Sequence, residues 1–284
     1  MTPPRLFDPV RRAARLARSR ARIGDADFLH RRAAEGLVES LEAILRDFGD
    51  VVDLSPHPHV FAGALAGSAA AGRVGAPRAV APPDGPEDLG LETGSADLIV
   101  SVLGLHWVED LPGLLAQARR VLRPDGLFMA AMFGGATLTE LRQALTAAEL
   151  EITGGAAARV SPFADGFDGA ALLQRAGLAL PVCDVDRLTV RYGDPVALMR
   201  DLRAMGETAT PTGPIRPLRR DVLMRAAEIY AARFAGADGR LEATFEIVTL
   251  SGWAPHETQQ KPLPRGSATV RLADALAAVR RTRD

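Results

Sequence analysis

The chain of 284 residues is 47% hydrophobic and 24% charged, a composition that is typical of a folded globular protein and excludes a mainly disordered one. Its formal charge of −1 provides no overall basic field for nucleic acid, and its single cysteine, Cys183, excludes an intrachain disulfide framework and a multi-cysteine zinc site. No apolar run approaches the ~20 residues of a membrane-spanning helix, so we expect a cytoplasmic protein without an integral membrane segment.

Residues 1–22 form a strongly basic segment. It contains seven arginines and one acid, Asp8. Such a segment resembles a transit peptide or a membrane-surface helix, but its few apolar side chains favour a solvated, arginine-rich opening helix after Pro9. A second helix is predicted from a cap at Asp27 to about Phe48, because apolar residues recur there every three or four positions.

Strand and helix signals then alternate along the chain. The predicted strands are short apolar runs at 50–54, 78–81, 96–103 and 127–133. Between and after them, helices are predicted at 60–72, 111–122 and 137–152. The run at 96–103 is apolar almost throughout, which is typical of a strand that is buried on both faces of a parallel sheet. This alternation predicts an α/β fold with a doubly wound, parallel sheet.

The second half of the chain completes the predicted fold. Asp168 is expected to cap a short helix that ends at Ala176, with Gly177 after it. Two strands are predicted at 182–192 and 242–250, and three helices at 194–205, 217–235 and 271–281. We divide the chain into three parts, which are N-terminal helices (1–48), a core (49–180) and a C-terminal part with a helical insertion and a terminal helix (181–284).

Candidate ligand-binding residues follow the buried strands. Ligands of open α/β sheets bind outside the carboxyl ends of the strands. The candidates at these ends are, in chain order, Asp53, Ser55, His57, His106, Trp107, Met132, Phe133 and Gly134. We therefore expect these side chains to meet at one edge of the sheet.

Several of these motifs resemble one enzyme family. The segment 97–126 contains the run Asp-Leu-Ile-Val-Ser-Val-Leu-Gly-Leu-His-Trp-Val and ends in Leu-Arg-Pro-Asp-Gly. It resembles the fourth strand, the following helix and the fifth strand of class I S-adenosylmethionine-dependent methyltransferases. With the His-Trp pair at 106–107, the segment resembles one branch of these enzymes. That branch contains the malonyl-carrier-protein methyltransferases of biotin synthesis and a family of complex I assembly factors that hydroxylate arginine. Further motifs favour the second group, at 6–8, 131–135, 137–142, 161–163, 205–207, 252–257 and 265–270.

The resemblance implies a Rossmann-like sheet that is mostly parallel, with an antiparallel last strand and helices on both faces. It also implies that the protein assists the assembly of respiratory complex I, the NADH:quinone oxidoreductase, by hydroxylating an arginine of a subunit, which would be its protein partner. In that reaction Glu207 would bind the guanidinium bidentately, and His106 and Trp107 would complete the catalytic site. The expected substrate-binding residues are Met132, Phe133, Gly134, Trp253 and His256.

The chain departs from the family at the cofactor site. Methyltransferases of this class carry two glycines after the first strand, where the backbone must approach S-adenosylmethionine closely. Ser55 and His57 stand at the corresponding positions. Asp53 is retained, Leu103 ends the strand at 96–103, and Asp84 is the best acid for the adenine end. We therefore expect weak or absent affinity for S-adenosylmethionine.

Other interpretations stay open at this point. The protein could be an ordinary S-adenosylmethionine-dependent methyltransferase for a small molecule or a carrier-bound acid, or a non-catalytic assembly chaperone. His106 and Trp107 could form a packing pair beneath the start of a helix, and Glu207 could be a surface acid. His57 and His59 have no third ligand nearby in the sequence, so we predict no metal site.

Overall fold

The computed structural model describes residues 5–81, 89–163, 168–214 and 216–260. The α-helices in these ranges are α1 (Pro9–Arg20), α2 (Phe28–Glu42), α3 (Pro58–Ala66), α4 (Leu111–Val121), α5 (Thr139–Thr153), α6 (Gly169–Arg175), α7 (Pro195–Met205) and α8 (Arg220–Phe234). The strands are β1 (Val51–Asp53), β2 (Arg78–Ala79), β3 (Ala96–Val102), β4 (Leu122–Phe133), β5 (Ala179–Tyr192) and β6 (Leu241–Trp253). The predicted helix at 271–281 and the motif at 265–270 lie outside the described residues. None of the helices in the described ranges is long and apolar enough to cross a membrane.

The strands of the described chain form one sheet in the order β2-β1-β3-β4-β6-β5. Strands β1 to β4 run parallel, and β6 runs antiparallel to both of its neighbours, β4 and β5. The predicted α/β sheet, mostly parallel with an antiparallel last strand, is therefore confirmed. The ends of β1, β3 and β4 meet at one edge of the sheet, which we call the carboxyl edge.

Apolar side chains cover both faces of the sheet. The central strand β3 is buried along nearly its whole length, and its residues are shared between two core clusters. One cluster packs against α2, α3, α5, α7 and α8, and the other packs against α4 and α6. Successive residues of a strand face opposite sides of a sheet, so a strand between two helical layers is apolar at nearly every position.

Aspartates begin four of the described helices. The side chains of Asp8, Asp110, Asp168 and Asp194 each accept a hydrogen bond from the backbone N–H three residues later. Pairing one free N–H of a first helical turn in this way stabilises a helix by about 1 kcal/mol. The predicted cap at Asp168 is confirmed, and Gly177 follows α6 with a φ of +82°.

Helix α2 is shorter than predicted. It ends at Glu42 instead of continuing to about Phe48, and the Asp27 side chain makes no capping hydrogen bond. Phe48 is buried and forms a β-bridge with Val74, which requires an extended chain before β1. Leu45 is 90% exposed, so the apolar spacing that predicted a longer helix does not correspond to a buried helical face.

Candidate functional site

Glu207 is buried at the carboxyl edge of the sheet, between the turn that follows β3 and the end of α7. Its Oε2 accepts a hydrogen bond from Trp107 Nε1 at 3.0 Å and lies 2.9 Å from His106 Nε2. The side chains of His106 and Glu207 are only 1% and 2% exposed. The structure therefore brings the three residues that were predicted to be catalytic into one cluster, which we call the Glu207 site.

Local backbone geometry holds Glu207 in this position. Helix α7 ends at Met205, and Gly206 adopts a left-handed conformation with a φ of +82° that turns the chain. The N–H of Glu207 then donates to the carbonyl of Leu202 at 2.7 Å. A Cβ atom at position 206 would lie 2.9 Å from Ser19 Oγ, so glycine is needed both for the turn and for the close approach of α1.

The surroundings of Glu207 keep its carboxyl group ionised. Burial favours the neutral acid and acts to raise its pKa, but His106, Arg12 and His30 together outweigh burial and lower the pKa to about 2. The group is therefore a carboxylate at neutral pH. Its second oxygen, Oε1, is buried and has no hydrogen-bond partner among the described residues. Such an oxygen is costly to leave unpaired, which makes it a candidate contact for a ligand.

A guanidinium group of the chain itself lies in this site. Arg12 of α1 places its guanidinium carbon 4.2 Å from the centroid of the Trp107 ring, and its Nη1 donates to the Gly206 carbonyl at 2.8 Å. Phe7 packs against the same ring, with the two centroids 5.0 Å apart. The prediction of a fully solvated opening helix is wrong for this face of α1, because Arg12 is buried. Sequence reasoning missed Arg12, since nothing nearby distinguishes it from the other arginines of residues 1–22.

The segment that contains α1 lies across the carboxyl edge of the sheet. Just before the helix, the N–H groups of Leu6 and Phe7 donate to Glu109 Oε1 at 2.8 and 2.7 Å. At the other end of the helix, Arg20 Nε donates to the Pro56 carbonyl at 3.2 Å. The segment thus connects the turn after β3 with the turn after β1, and it covers the Glu207 site.

A small apolar cavity borders the Glu207 site next to α5 and α7. Its volume is about 150 Å³, which is enough for a benzene-sized group. The apolar part of its wall includes Leu138, Leu141, Leu145, Met199, Leu202 and Leu218. Glu207 is the one acid among the described lining residues. The cavity therefore combines an apolar wall with one buried negative charge, that of Glu207, and with two positive side chains, Arg159 and Arg203.

Side chains also fill the turn that follows β1. Ser55 Oγ accepts a hydrogen bond from the Val102 N–H at 2.8 Å, and the Ser55 N–H donates to Asp53 Oδ1 at 2.8 Å. Asp53 is fully buried, its Oδ2 has no partner among the described residues, and burial raises its pKa to about 6 against the lowering effect of Ser55. Leu103, another predicted cofactor residue, is buried at the end of β3 with a φ of +49°. Asp84 lies outside the described residues.

His57 is packed beneath α1. The residue is 1% exposed, and its Nε2 lies 3.3 Å from Ser19 Oγ and 3.4 Å from the Met205 carbonyl oxygen. Its ring meets the ring of His30 edge-on, with centroids 5.0 Å apart. Burial lowers the pKa of both histidines, that of His30 to about 3, so both rings are neutral at neutral pH. The imidazole of His57 therefore occupies the protein interior and not a solvated loop.

The structure provides no second and third ligand around His57 for a metal ion. Across 5–81, 89–163, 168–214 and 216–260, no three His, Cys, Asp or Glu side chains lie close enough together to hold one. His59, the neighbouring candidate in the sequence, is exposed, and its ring centroid is 6.0 Å from that of His57.

The predicted substrate-binding residues of β4 divide between the two faces of the sheet. The Phe133 ring lies beside the Glu207 site, with its centroid 5.0 Å from that of His106. Gly134 follows and donates its N–H to the Glu246 carbonyl at 2.9 Å. Met132 belongs to the other core cluster, which packs against α4 and α6. Of these three residues, Phe133 is the one that contacts the predicted catalytic cluster.

Trp253 and His256 are not brought to the Glu207 site. Because β6 runs antiparallel to β4, its last residue, Trp253, pairs with Leu127, whereas Phe133 stands at the end of β4. From position 127 to position 133 the strand extends for roughly 20 Å. His256 is exposed, and its Nδ1 lies 2.8 Å from Thr258 Oγ1. The direction of β6 thus places both predicted substrate residues toward the opposite edge of the sheet.

Comparison with known proteins identifies the fold. Residues 38–130 match the family described as a methyltransferase domain. The solved structure of a methyltransferase from Bacillus halodurans aligns with a TM-score of 0.50 over 78% of this chain and 99% of that one, and its 12% identity limits the likeness to the fold. Residues 38–130 therefore match a methyltransferase domain, and the chain has the fold of class I methyltransferases.

Two groups of relatives are similar to this chain in sequence. The arginine-hydroxylase NDUFAF5, mitochondrial, of Danio rerio is 44% identical over 188 residues, which are 66% of this chain and 59% of that protein. The Homo sapiens protein of the same name is 43% identical over 66% of this chain and 54% of its own length. The malonyl-[acyl-carrier protein] O-methyltransferase of Laribacter hongkongensis is 38% identical over 63% of this chain and 58% of its own length. The chain thus spans somewhat more than half the length of these relatives, and the predicted resemblance to both groups is confirmed.

Proposed function

We propose that this methyltransferase-fold protein assists the assembly of respiratory complex I by binding an arginine of one subunit in the Glu207 site. There the arginine would be hydroxylated by dioxygen and an external two-electron donor, one oxygen atom entering the arginine and the other leaving as water. One observation carries the proposal. The buried, ionised Glu207 carboxylate lines an apolar cavity and keeps Oε1 unpaired among the described residues. The similarity to proteins named arginine-hydroxylases supports arginine as the substrate side chain.

An arginine side chain matches this site in shape and charge. Its methylene stem suits the apolar cavity wall, and its planar guanidinium donates hydrogen bonds to carboxylate oxygens. The Arg12 guanidinium already covers the Trp107 ring, so the incoming arginine would approach Glu207 from the cavity side. Since Trp107 and His106 hold Oε2, the carboxylate is fixed in orientation, while Oε1 keeps its hydrogen-bonding capacity unused among the described residues.

We further infer that the residues after β1 do not fit S-adenosylmethionine. In the fold family, the methionine part of the cofactor lies against this turn, where glycine leaves the backbone open. Here the Ser55 hydroxyl is already bonded to the Val102 N–H, and His57 is enclosed beneath α1. For this reason we rank methyl transfer to a small molecule or a carrier-bound acid below the arginine-directed function.

Complementation of a strain that lacks the gene tests the proposal. The strain receives the wild-type protein, Glu207→Gln, or the matched control Glu39→Gln, which changes an exposed glutamate of α2. The complex I level is measured on native gels, and the subunit arginines are examined by mass spectrometry for one added oxygen atom. We expect the wild type and the control to restore the complex I level and the hydroxylated arginine. We expect Glu207→Gln to restore neither of them, although this variant folds.

Other outcomes would change the conclusion in defined ways. Normal complex I with a hydroxylated arginine in the strain without the gene would overturn the proposal. Restoration of complex I by Glu207→Gln without the hydroxyl group would make the protein an assembly chaperone whose function does not require catalysis. Restoration of both by Glu207→Gln would show that the arginine binds elsewhere.

A further inference from the structure

A second, larger cavity with a strongly positive lining adjoins the Glu207 site. Its volume is about 770 Å³, and it is bordered by α1, α7 and the segment 208–211. Six arginines line it: Arg15, Arg18, Arg22, Arg159, Arg200 and Arg203. Asp201 is the one acid among its described lining residues. We call this cavity the arginine groove.

The chain itself balances these positive charges only in part. Arg22, Arg200 and Arg203 are exposed, and no hydrogen bond or ion pair joins their guanidinium groups to the described residues. Burial, followed by the neighbouring charge of Arg18, lowers the pKa of Arg15. Positive groups held this close repel one another, so a negatively charged ligand would relieve the repulsion.

The arginine groove shares part of its wall with the small cavity at Glu207. The residues that line both are Arg159, Arg203, Thr208, Ala209 and Leu218. A polypeptide that lies in the groove would therefore pass directly beside the small cavity, within reach of one of its own side chains. The residues on either side of that side chain would then face the arginines.

We propose that the arginine groove binds an acidic stretch of the partner polypeptide, in which Asp and Glu residues flank the arginine that enters the Glu207 site. This inference rests on the proposed function. Guanidinium groups bind carboxylates in a planar, two-point geometry, which makes arginine better suited than lysine to this task. The concave shape favours a peptide over a membrane surface, and the overall charge of −1 does not favour nucleic acid.

Fluorescence anisotropy with synthetic peptides tests the inference. The main probe is a labelled peptide in which one arginine is flanked on both sides by aspartate and glutamate. A neutral peptide carries asparagine and glutamine in place of the acids. A third peptide keeps the acids and carries citrulline in place of arginine, so it reports on the groove independently of guanidinium binding at Glu207.

Two variants with the same loss of charge are compared with the wild-type protein. The groove variant is Arg22→Gln/Arg200→Gln/Arg203→Gln. The control variant is Arg78→Gln/Arg175→Gln/Arg220→Gln, whose arginines are exposed and do not line the groove. Circular dichroism and Tm establish that all three proteins are folded.

We expect the groove variant to bind the acidic arginine peptide about tenfold more weakly than the wild type, because three exposed charge pairs are removed. The control variant should bind like the wild type. The affinity of the wild type should fall as salt is added, since exposed charges are screened. The citrulline peptide should show the same difference between the groove variant and the control.

Several results would overturn the inference. These are equal affinity of the wild type and the groove variant for the acidic peptides, equal affinity for acidic and neutral peptides, or no binding of any peptide. Groove-dependent binding of vesicles with anionic phospholipid, or of an oligonucleotide, without peptide binding would overturn it in favour of another ligand. If binding depends on the groove and the acids but citrulline replaces arginine without loss, the inference about the groove stands and the proposed function fails.

Discussion

The Ser55 hydroxyl accepts a hydrogen bond from the Val102 N–H at 2.8 Å and so joins the ends of β1 and β3. In open α/β sheets, ligands bind across the carboxyl ends of adjacent strands. A side chain that already connects these two ends occupies both the space and a backbone donor that a cofactor could use. This contact therefore has a direct consequence for cofactor binding.

We predict that S-adenosylmethionine does not raise the Tm of the wild-type protein. A ligand at about 100 times its Kd adds about 2.7 kcal/mol to the free energy of unfolding, so a thermal shift experiment at millimolar cofactor would detect micromolar affinity. Ser55→Gly/His57→Gly restores an open backbone and is the informative variant. A Tm increase in that variant alone would identify the two side chains as the obstruction, whereas an increase in the wild type would contradict the prediction.

The docking of α1 should depend on Arg12. Replacing it by glutamine removes the cation from the Trp107 ring and the hydrogen bond to the Gly206 carbonyl, which should lower the free energy of unfolding by about 2 kcal/mol. Urea unfolding measures the change, and Arg175→Gln, at an exposed position of α6, is the control. Equal stability of the two variants would mean that Arg12 does not hold α1 in place.

His30 should make the protein less stable in acid. Burial lowers its pKa to about 3, below the 6.5 of an ordinary histidine, so the unfolded chain takes up a proton first as the pH falls. The contribution of neutral His30 to the free energy of unfolding is complete above pH 6.5. About 2 kcal/mol of this contribution should be lost between pH 7.5 and pH 5. His30→Leu should abolish this loss at little cost at neutral pH, because neither ring nitrogen has a partner among the described residues.

Urea unfolding across this pH range checks the prediction for His30. The exposed His59 supplies the control, as His59→Gln should keep the pH dependence of the wild type. A pH dependence that is the same in His30→Leu as in the wild type would contradict the lowered pKa.

Asp53, unlike His30, should make the protein more stable as the pH falls. Burial raises its pKa to about 6, above the 3.8 of an ordinary aspartate, so the folded chain takes up a proton first as the pH falls. From pH 7 to pH 5 this group should add about 1 kcal/mol to the free energy of unfolding. Asp53→Asn should remove the gain while its amide oxygen still accepts from the Ser55 N–H. Unfolding curves at the two pH values measure the difference, and a gain that persists in the variant would refute it.

Elements with strong local signals were predictable from the sequence. The apolar run of β3 could only be a strand between two helical layers, and Asp168 with Gly177 correctly bounded α6. Helix α2 was predicted too long, because Ile44 and Leu45 continue its apolar spacing although the β-bridge of Phe48 already requires an extended chain. Tertiary pairing overrode local periodicity at that point.

The Glu207 site was predictable in part. His106 and Trp107 follow a buried strand, and the strand-end rule placed them at the carboxyl edge, whereas Glu207 was chosen through a family resemblance. Arg12 and His30 carry no local signal, because their partners lie far away in the chain. Trp253 and His256 were expected in the same pocket, but the direction of β6, which no single residue reveals, places them elsewhere.

The Glu207 site is assembled from three segments of the described chain that are far apart in the sequence. The hydrogen bond from Arg12 to Gly206 spans 194 positions, and the one from Trp107 to Glu207 spans 100. Contacts between such distant segments require most of the intervening chain to be in place before they form. A nascent or partly folded molecule therefore lacks the Glu207 site, so only a finished copy could bind the arginine that we propose as its substrate. If the proposed function holds, the topology itself would ensure that the protein is fully folded before it meets its partner.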